Sequence, residues 1–240
     1  MQSSNYHLTW LGHATFKIQT PRGKQLLIDP WVQNNPACPP DQKKIDHLDA
    51  MLITHGHFDH IADAVPIAKE AHPSVVVGVF ETCNWLEGKG VEHCSGMNIG
   101  GTQNVDGLRV TMTHADHSCG ILDGGSIIYG GVAAGYVIEL ENGVKIYHSG
   151  DTGVFSDMQL IAELYQPELV MLPIGDFFTM GPREAAYACK FLQPKAVIPM
   201  HHSTFPLLTG TPEAFKQELS KLGLGHIEVI TMKSGQTIQR

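Results

Sequence analysis

The sequence predicts an α/β fold in which two similar halves pack sheet against sheet, with helices on the outside. Short β-prone runs alternate with stretches of helical periodicity, and a β-rich segment followed by a mixed segment occurs twice along the chain. The chain has 240 residues, of which 42% are hydrophobic, so it can bury a large core and is not intrinsically disordered. We expect a single domain over residues 1–240.

The first half starts with β-structure and then alternates. Three short β-prone runs predict strands at His7–Leu11, Ala14–Thr20 and Gln25–Ile28. After these the apolar pattern predicts strand, helix, strand and helix, in the order Ala50–Thr54, Ile61–Ala71, Ser74–Val79 and Glu81–Lys89.

The second half follows the same order. Strands are predicted at Leu108–Thr113, Tyr136–Leu140 and Val144–Tyr147, and Gly124-Gly125 and Gly130-Gly131 are predicted to be turns. Helices and strands then alternate over Asp157–Tyr165, Leu169–Leu172, Arg183–Phe191, Ala196–Ile198 and Pro212–Lys221. Two strands close the chain, Ile227–Ile230 and Gln236–Ile238.

Composition narrows the class of partner. The formal net charge is −8 at pH 7, which argues against a nucleic-acid partner, because binding a phosphate backbone needs a basic face. No apolar run approaches the roughly 20 residues of a membrane helix, and Met1–Trp10 lacks the pattern of a secretory signal. Five cysteines without a C-x-x-C motif favour the cytoplasm. The unusual feature is 14 histidines against 16 lysines and arginines.

The strongest motif explains part of that histidine excess. Directly after a predicted strand, the run Thr54-His55-Gly56-His57-Phe58-Asp59-His60 places four metal-capable side chains within six residues. Imidazole and carboxylate are ligands that Zn²⁺, Fe and Mn²⁺ accept, and Gly56 permits close approach at a crowded site. A polar turn whose histidines cap a helix is the structural alternative, and this density of ligands disfavours it.

The H-x-H-x-D-H motif resembles that of the metallo-β-lactamase superfamily. Further metal-capable residues follow later predicted strands in the order that superfamily shows: His117, Asp151 and His201. The N-terminal motifs Trp10–Phe16 and Ile28-Asp29-Pro30 resemble a narrower branch, the small metal-dependent hydrolases related to the ascorbate-phosphate lactonases.

This resemblance implies a four-layer αββα sandwich that holds two divalent metal ions, with Zn expected and Mn or Fe compatible. It implies one metal held by His55, His57 and His117. A second metal would be held by Asp59, His60 and His201, and Asp151 would bridge the two. A carboxylate shared between two cations lowers their repulsion, and ions about 3.5–4 Å apart can hold a hydrolytic water.

Two ligand assignments have competitors, and several nearby residues have two readings. His114 competes with His117, and His202 competes with His201; the motif pattern favours His117 and His201. Hydrogen-bonded structural roles and supporting roles beside the metals are both open for His13, His114, His148 and His202. Asp29 could orient a ligand histidine or cap a loop. The adjacent Phe177 and Phe178 could line the rim of the site or pack in the core.

The implied function is hydrolysis of an ester, lactone, amide or phosphodiester by a bridging hydroxide, with Asp59, Asp151 or His148 carrying the proton. The substrate is expected to be a small molecule, and the positive charge of two ions favours an anionic one. Hydrolases of this type often form homo-oligomers. The alternatives are an RNA-processing nuclease on the same fold, a di-iron or dioxygenase member, and a metal-binding module without turnover.

Overall fold

The computed structural model describes residues 5–240. Seven strands form the first sheet, in the spatial order β16-β1-β2-β3-β4-β5-β6. Their bounds are β1 (His7–Trp10), β2 (Phe16–Gln19), β3 (Gln25–Ile28), β4 (Ala50–Leu52), β5 (Val75–Val79), β6 (Cys94–Met97) and β16 (Thr237–Gln239). Pairing is antiparallel from β16 to β3 and parallel from β3 to β6.

The second sheet repeats this plan in the order β15-β14-β13-β12-β11-β8-β7. Its strands are β7 (Thr102–Val105), β8 (Leu108–His114), β11 (Ala134–Glu139), β12 (Lys145–His148), β13 (Leu169–Pro173), β14 (Ala196–Met200) and β15 (Glu228–Val229). Pairing is antiparallel from β7 to β12 and parallel from β12 to β15. A separate hairpin joins β9 (Gly120–Asp123) to β10 (Ser126–Tyr129).

Helices cover the outer face of each sheet. They are α1 (Phe58–Ile61), α2 (Ala64–Ala71), α3 (Phe80–Gly88), α4 (Met158–Tyr165), α5 (Pro182–Leu192) and α6 (Pro212–Lys221). A 3-10 turn at Pro40–Gln42 lies in the loop after β3. Across residues 5–240, none of the helices combines the length and the apolar character needed to cross a membrane.

The alternation of side chains along the strands creates three cores from two sheets. In β3, Leu26 and Ile28 point into the core between the sheets, whereas Leu27 points to the core beneath α2 and α3. In β13, Met171 faces the core between the sheets and Val170 faces the core beneath α4, α5 and α6. Strands buried on both faces are therefore apolar throughout, and the predicted layered α/β fold is confirmed.

The predicted long first helix is interrupted. The prediction Ile61–Ala71 becomes α1 and α2, separated at Asp63. The Asp63 carboxylate accepts the backbone N–H groups of Val32 and Gln33 at 2.6 and 2.8 Å, and the Asp63 N–H donates to the carbonyl of Pro30. The break therefore ties this helix pair to the loop that follows β3.

The sequence failed to predict four strands. Strands β6 and β7 lie near sheet edges, and their partly exposed residues include Ser, Gly, Asn and Gln, so they lack the apolar alternation of an ordinary strand. The β9–β10 hairpin turns at Gly124-Gly125, as predicted for that dipeptide, but its flanking strands were not predicted.

One hydrogen bond connects the second sheet to the segment carrying the metal-capable motif. The hydroxyl of the fully buried Tyr136 in β11 donates to the carbonyl of Ile53 at 2.7 Å, two residues before His55.

Replacing Tyr136 by Phe leaves the Ile53 carbonyl buried without its donor. We expect Tyr136→Phe to lower the free energy of unfolding by about 1–3 kcal/mol, measured by urea denaturation. The matched change Tyr187→Phe, on the partly exposed face of α5, should have little effect, and equal losses would contradict the role of the hydrogen bond.

Candidate metal centre

The metal-capable side chains come from loops at the carboxyl ends of strands in both sheets. His55, His57, Asp59 and His60 follow β4 in the first sheet. In the second sheet, His117 follows β8, Asp151 follows β12 and His201 follows β14. The structure brings all of them together in three overlapping clusters. Carboxyl ends of parallel strands are the usual site of ligand binding in α/β folds.

The first cluster is a trio of imidazoles. The His55 Nε2 atom lies 3.0 Å from His57 Nδ1, and His57 Nδ1 lies 3.2 Å from His117 Nε2. The hydroxyl of the exposed Ser118 lies 3.2 Å from the other ring nitrogen of His57. Three ring nitrogens thus converge on one point, as in a three-histidine metal site.

The second cluster contains Asp59, His60, His201 and also His13. His201 Nε2 lies 3.7 Å from the Oδ2 atom of Asp59, and His60 Nε2 lies 4.0 Å from it. Asp151 lies between the two clusters, because its Oδ2 atom is 3.0 Å from His201 Nε2 and 3.7 Å from His117 Nε2. Its other oxygen is 3.3 Å from His60 Nε2. Asp151 is therefore in contact range of side chains from both clusters.

Asp29 sets the orientation of one histidine in each cluster. Its carboxylate accepts the N–H of Thr54 at 2.8 Å, the Thr54 hydroxyl at 2.7 Å and His60 Nδ1–H at 2.7 Å. The single hydroxyl proton of Thr54 goes to Asp29, so the hydroxyl oxygen accepts Nδ1–H from His55 at 3.0 Å. With Nδ1 engaged in these hydrogen bonds, both imidazole rings point their Nε2 atom toward the centre. Of the two readings of Asp29, the structure shows the orienting one.

The unpaired atoms of the centre fit divalent cations. His60 Nε2, Asp151 Oδ1 and His201 Nε2 are buried and make no hydrogen bond to any of the described residues, although they lie close to one another. Buried polar atoms are normally paired, so two ring nitrogens and a carboxylate oxygen that converge without partners fit a bound cation, which would displace any ring protons. The donor set of imidazoles and carboxylates suits Zn²⁺, Mn²⁺ or Fe.

The electrostatics of the two clusters differ. Burial, followed by the neighbouring His60, lowers the pKa of His55, which keeps this ligand neutral as metal binding requires. Burial also opposes protonation of His201, but the carboxylates of Asp151 and Asp59 outweigh it and raise the pKa of His201 to about 9. Burial opposes ionisation of Asp151, and His201 and His60 outweigh it and lower its pKa. The carboxylate side of the centre thus attracts positive charge.

Backbone strain accompanies this arrangement. His13, Asp29 and His201 all adopt the left-handed conformation, with φ of 57°, 50° and 54°. The N–H of His201 donates to the carbonyl of His13 at 3.0 Å, which joins the two sheets at the centre. Left-handed backbone is unfavourable for residues other than glycine, and it concentrates at functional sites.

Three neighbouring histidines lie outside the metal clusters. His148 is fully buried; its Nε2 atom contacts the carbonyl of Ala14 at 3.0 Å, and its Nδ1 accepts the N–H of Gly150 at 3.1 Å. Both ring nitrogens are thus engaged by backbone, which is at odds with the predicted role of His148 as a proton carrier. His114 is exposed against Phe155, and His202 packs on Trp10, so the structure places His117 and His201 in the clusters instead.

His13 lies closer to the centre than the sequence indicated. Its Nε2 atom lies 2.9 Å from Asp59 Oδ2, and its Nδ1 atom lies 2.9 Å from the hydroxyl of Thr204. The sequence identified His13 only as a residue near a motif. Its position after a glycine at the end of a strand was the available signal, because Gly12 and His13 form the turn between β1 and β2.

The β9–β10 hairpin packs directly on the histidine motif. A Cβ atom placed on Gly56 would lie 2.4 Å from Cγ1 of the buried Ile121. The N–H of Gly56 donates to the Cys119 sulfur at 3.3 Å, and this thiol donates to the carbonyl of Gly130 at 3.2 Å. The close approach predicted for Gly56 is therefore made by a side chain of the hairpin.

Comparison with known proteins agrees with this geometry. Residues 24–202 match the family model described as the beta-lactamase superfamily domain. A UPF0173 metal-dependent hydrolase of Koribacter versatilis is 55% identical over 237 residues, covering 99% of both proteins. A homologue of the same name from Methanopyrus kandleri is 46% identical over 233 residues, covering 97% of this chain and 99% of that protein.

Solved structures of other proteins have the same fold. The metallo hydrolase Igni18 from the archaeon Ignicoccus hospitalis has a TM-score of 0.86 and 36% identity, covering 98% of each chain. An isothiocyanate hydrolase from Delia radicum gut bacteria has a TM-score of 0.72 at 22% identity, covering 97% of this chain and 98% of its own, a likeness of fold alone.

Fold, cluster and relatives together define a metal-dependent hydrolase of the metallo-β-lactamase superfamily, which confirms the resemblance seen in the sequence. Within that superfamily, the chain belongs to the UPF0173 metal-dependent hydrolases.

Replacing Asp29 by Asn tests the orienting carboxylate. Asparagine tolerates the left-handed backbone, so the change removes charge and acceptor capacity while keeping shape. We expect Asp29→Asn to weaken metal binding about 10- to 100-fold, measured by competition with a chromogenic chelator. Asp49→Asn is the control, because Asp49 accepts the N–H of Gln25 at the opposite end of β3. Unchanged affinity in Asp29→Asn would show that the ligand histidines do not depend on Asp29.

A double substitution tests the contact between the hairpin and the motif. Gly56→Ala should lower metal affinity, because the new methyl group collides with Ile121 and displaces His55 or His57. Adding Ile121→Ala opens space for that methyl group, so the double variant should regain part of the affinity. The measurement is chelator competition on wild type, both single variants and the double variant. Strictly additive losses would contradict a direct contact.

Proposed function

We propose that the chain hydrolyses an ester, lactone or phosphodiester bond of a small molecule at a dinuclear metal centre. The observation that carries the proposal is the position of Asp151, whose Oδ2 atom lies within 3.7 Å of His117 on one side and 3.0 Å of His201 on the other. One carboxylate between two complete sets of ligands fits two ions better than one.

The side chains would divide between two ions. Asp151 would serve both, and the two sets of three further ligands are those that the sequence predicts: His55, His57 and His117 for one, and Asp59, His60 and His201 for the other. Two divalent cations would polarise the substrate oxygen and make water a nucleophile at neutral pH. Zn²⁺ is the ion we expect, and Mn²⁺ or Fe also suits these ligands.

Substrate would approach from the side where the ligands meet solvent. His57 and His117 are partly exposed, whereas His55, His60 and His201 are buried. The floor of the site therefore consists of the fixed ligands, and the reacting bond lies toward His57 and His117.

Asp59 is the best placed proton carrier among the predicted residues. Its side chain is 13% exposed, whereas that of Asp151 is only 3% exposed and His148 is held by backbone. His13 Nε2 contacts Asp59 Oδ2 at 2.9 Å and fixes its position. Burial opposes ionisation of Asp59, and contacts with His13 and His201 outweigh it and lower the pKa of Asp59, so the carboxylate is ionised at neutral pH, as binding to a metal requires.

The bridging role of Asp151 leads to a direct test. Protein reconstituted with Zn²⁺ or Mn²⁺ should hold two ions per chain by elemental analysis and hydrolyse members of a panel of esters, lactones and phosphodiesters. Asp151→Ala should reduce metal content and lower kcat/KM more than about 100-fold, beyond the loss of an outer-sphere partner. Asp46→Ala, at an exposed ion pair, should leave both values unchanged.

Three results would overturn the proposal. Retained activity in Asp151→Ala would remove the bridging role, and one ion per chain would remove the dinuclear centre. Tight metal binding without turnover on the panel would favour the metal-binding module. The predicted cytoplasmic location and homo-oligomeric state stay predictions.

A further inference from the structure

Three aromatic side chains are exposed on the loops that form the metal centre. Phe58, between His57 and Asp59, is 53% exposed, and Phe177 and Phe178 are 65% and 50% exposed. Large aromatic side chains usually bury most of their surface, so three exposed ones on segments of the centre indicate a binding surface. We call these three residues the aromatic rim.

The loop carrying Phe177 and Phe178 is attached to the metal-binding segments on both sides. The N–H of Met180 donates to the carbonyl of Thr152, the residue after Asp151, at 3.1 Å. Gly175 lies so close to the backbone of His201 that a Cβ atom there would be 2.0 Å from the His201 carbonyl oxygen. The phenylalanine pair is therefore fixed beside the ends of the two strands that supply Asp151 and His201.

This loop holds its rings outward in a strained conformation. Asp176 and Phe177 are both left-handed, with φ of 67° and 61°. Two bonds to Asp176 stabilise the turn, since the N–H of Phe177 donates to its carboxylate and the N–H of Phe178 to its carbonyl, each at 2.7 Å. The rings pack on one another with centroids 4.7 Å apart. The hydrogen bonds stabilise the turn, but burial adds little because both rings stay at least half exposed, an arrangement that suits contact with a bound molecule.

Phe58 is held in place by other aromatic rings near the centre. Its ring meets Trp31 edge to face at 5.7 Å, Trp31 stacks with Phe205 at 5.8 Å, and Phe205 contacts the ring of His13 at 5.5 Å. A packed aromatic cluster thus orients the exposed part of Phe58, so contact with a ligand would cost little ordering.

Five segments around the centre offer no cationic side chain to an anionic substrate, and the two lysines of the loop after Asp29, Lys43 and Lys44, bond to the Gln33 carbonyl and the Asp46 carboxylate. The segments 53–63, 115–133, 149–157, 174–181 and 201–211 contain no lysine or arginine, although the whole chain has 16. The same segments contain exposed acids, among them Asp116 and Asp176. Recognition of a phosphate or carboxylate away from the reacting bond normally uses arginine or lysine, and these loops supply neither.

We propose that the substrate is an uncharged carboxylic ester or lactone that carries an alkyl or aryl group, and that this group packs on the aromatic rim while the reacting bond lies at the metals. The proposal rests on the proposed hydrolase function and narrows it. The sequence favoured an anionic substrate because of the charge of two metal ions. We propose an uncharged one instead, because the groups next to the reacting bond would contact the aromatic rim.

Two substrate series measure the preference in the metal-loaded, full-length protein. In the first, p-nitrophenyl acetate, butanoate and hexanoate vary the acyl group; in the second, methyl, butyl and benzyl acetate vary the alcohol, followed with a pH indicator. We expect kcat/KM to rise in at least one series, by roughly two- to fourfold for each methylene that reaches the rim. A p-nitrophenyl ester of glutaric acid, similar in length to the hexanoate but carrying a carboxylate, should react more slowly than the hexanoate.

Variants then locate the preference. In Phe177→Ala/Phe178→Ala, the ratio of kcat/KM between the largest and smallest esters should fall at least threefold. The control is Leu164→Ala, which removes an equally exposed apolar side chain from α4 and should preserve both the ratio and the absolute rates. A ratio that falls equally in the control would overturn the assignment to the rim.

The outcomes separate this proposal from the one on which it rests. Hydrolysis of acetates with no rise in either series, or preference for the glutarate ester, overturns the hydrophobic substrate and leaves the hydrolase intact. Hydrolysis of bis(p-nitrophenyl) phosphate alone, with none of the esters accepted, has the same consequence. No hydrolysis of any of these compounds by protein that holds its metals overturns both proposals.

Discussion

The metal centre depends on one buried carboxylate. Asp29 accepts three hydrogen bonds, and through Thr54 it determines which ring nitrogen of His55 carries the proton while it sets His60 directly. A fully buried carboxylate is unfavourable unless its partners compensate it, and here every partner also orients the centre. The stability of the folded loops and the arrangement of the ligands therefore rest on the same interactions.

Bringing ligands from two sheets to one point requires contacts that cross between the sheets. The core between them is apolar, so polar contacts between the sheets lie at its ends, and those beside the metal-capable residues lie at the carboxyl ends of the parallel strands. Tyr136 of the second sheet donates to Ile53 beside the first histidine motif, and His201 donates to His13. These hydrogen bonds hold the two sheets at a fixed separation beside the centre, so the metal-capable side chains of the two sheets keep fixed distances from one another.

The sequence predicted the layered fold because apolar alternation and buried runs are local signals, as in β3 and β13. The motif from His55 to His60 has a local signal, four metal-capable side chains directly after a buried strand, whereas His117, Asp151 and His201 were identified through the resemblance to the superfamily. The sequence missed the edge strands β6 and β7, whose mixed composition carries no such signal. The sequence also suggested that His148 carries a proton, because His148 lies close to Asp151 along the chain. Closeness along the chain does not show what the imidazole ring contacts. β12 extends through His148, and alternation turns its ring to the face opposite Tyr147, where backbone occupies both nitrogens.

The two kinds of left-handed residue at the centre differ in what offsets their strain. His13, Asp29 and His201 gain hydrogen bonds, ring packing or proximity to the opposing charges of the cluster, so ligand geometry alone accounts for them. Asp176 and Phe177 lie outside the clusters; hydrogen bonds to Asp176 stabilise their turn, but the rings of Phe177 and Phe178 stay exposed. The turn therefore holds two apolar rings in water, and the free protein lacks the gain that their burial would give. Such a loop is explicable when the missing favourable contact comes from a bound molecule, and the composition of the surrounding loops makes that molecule hydrophobic.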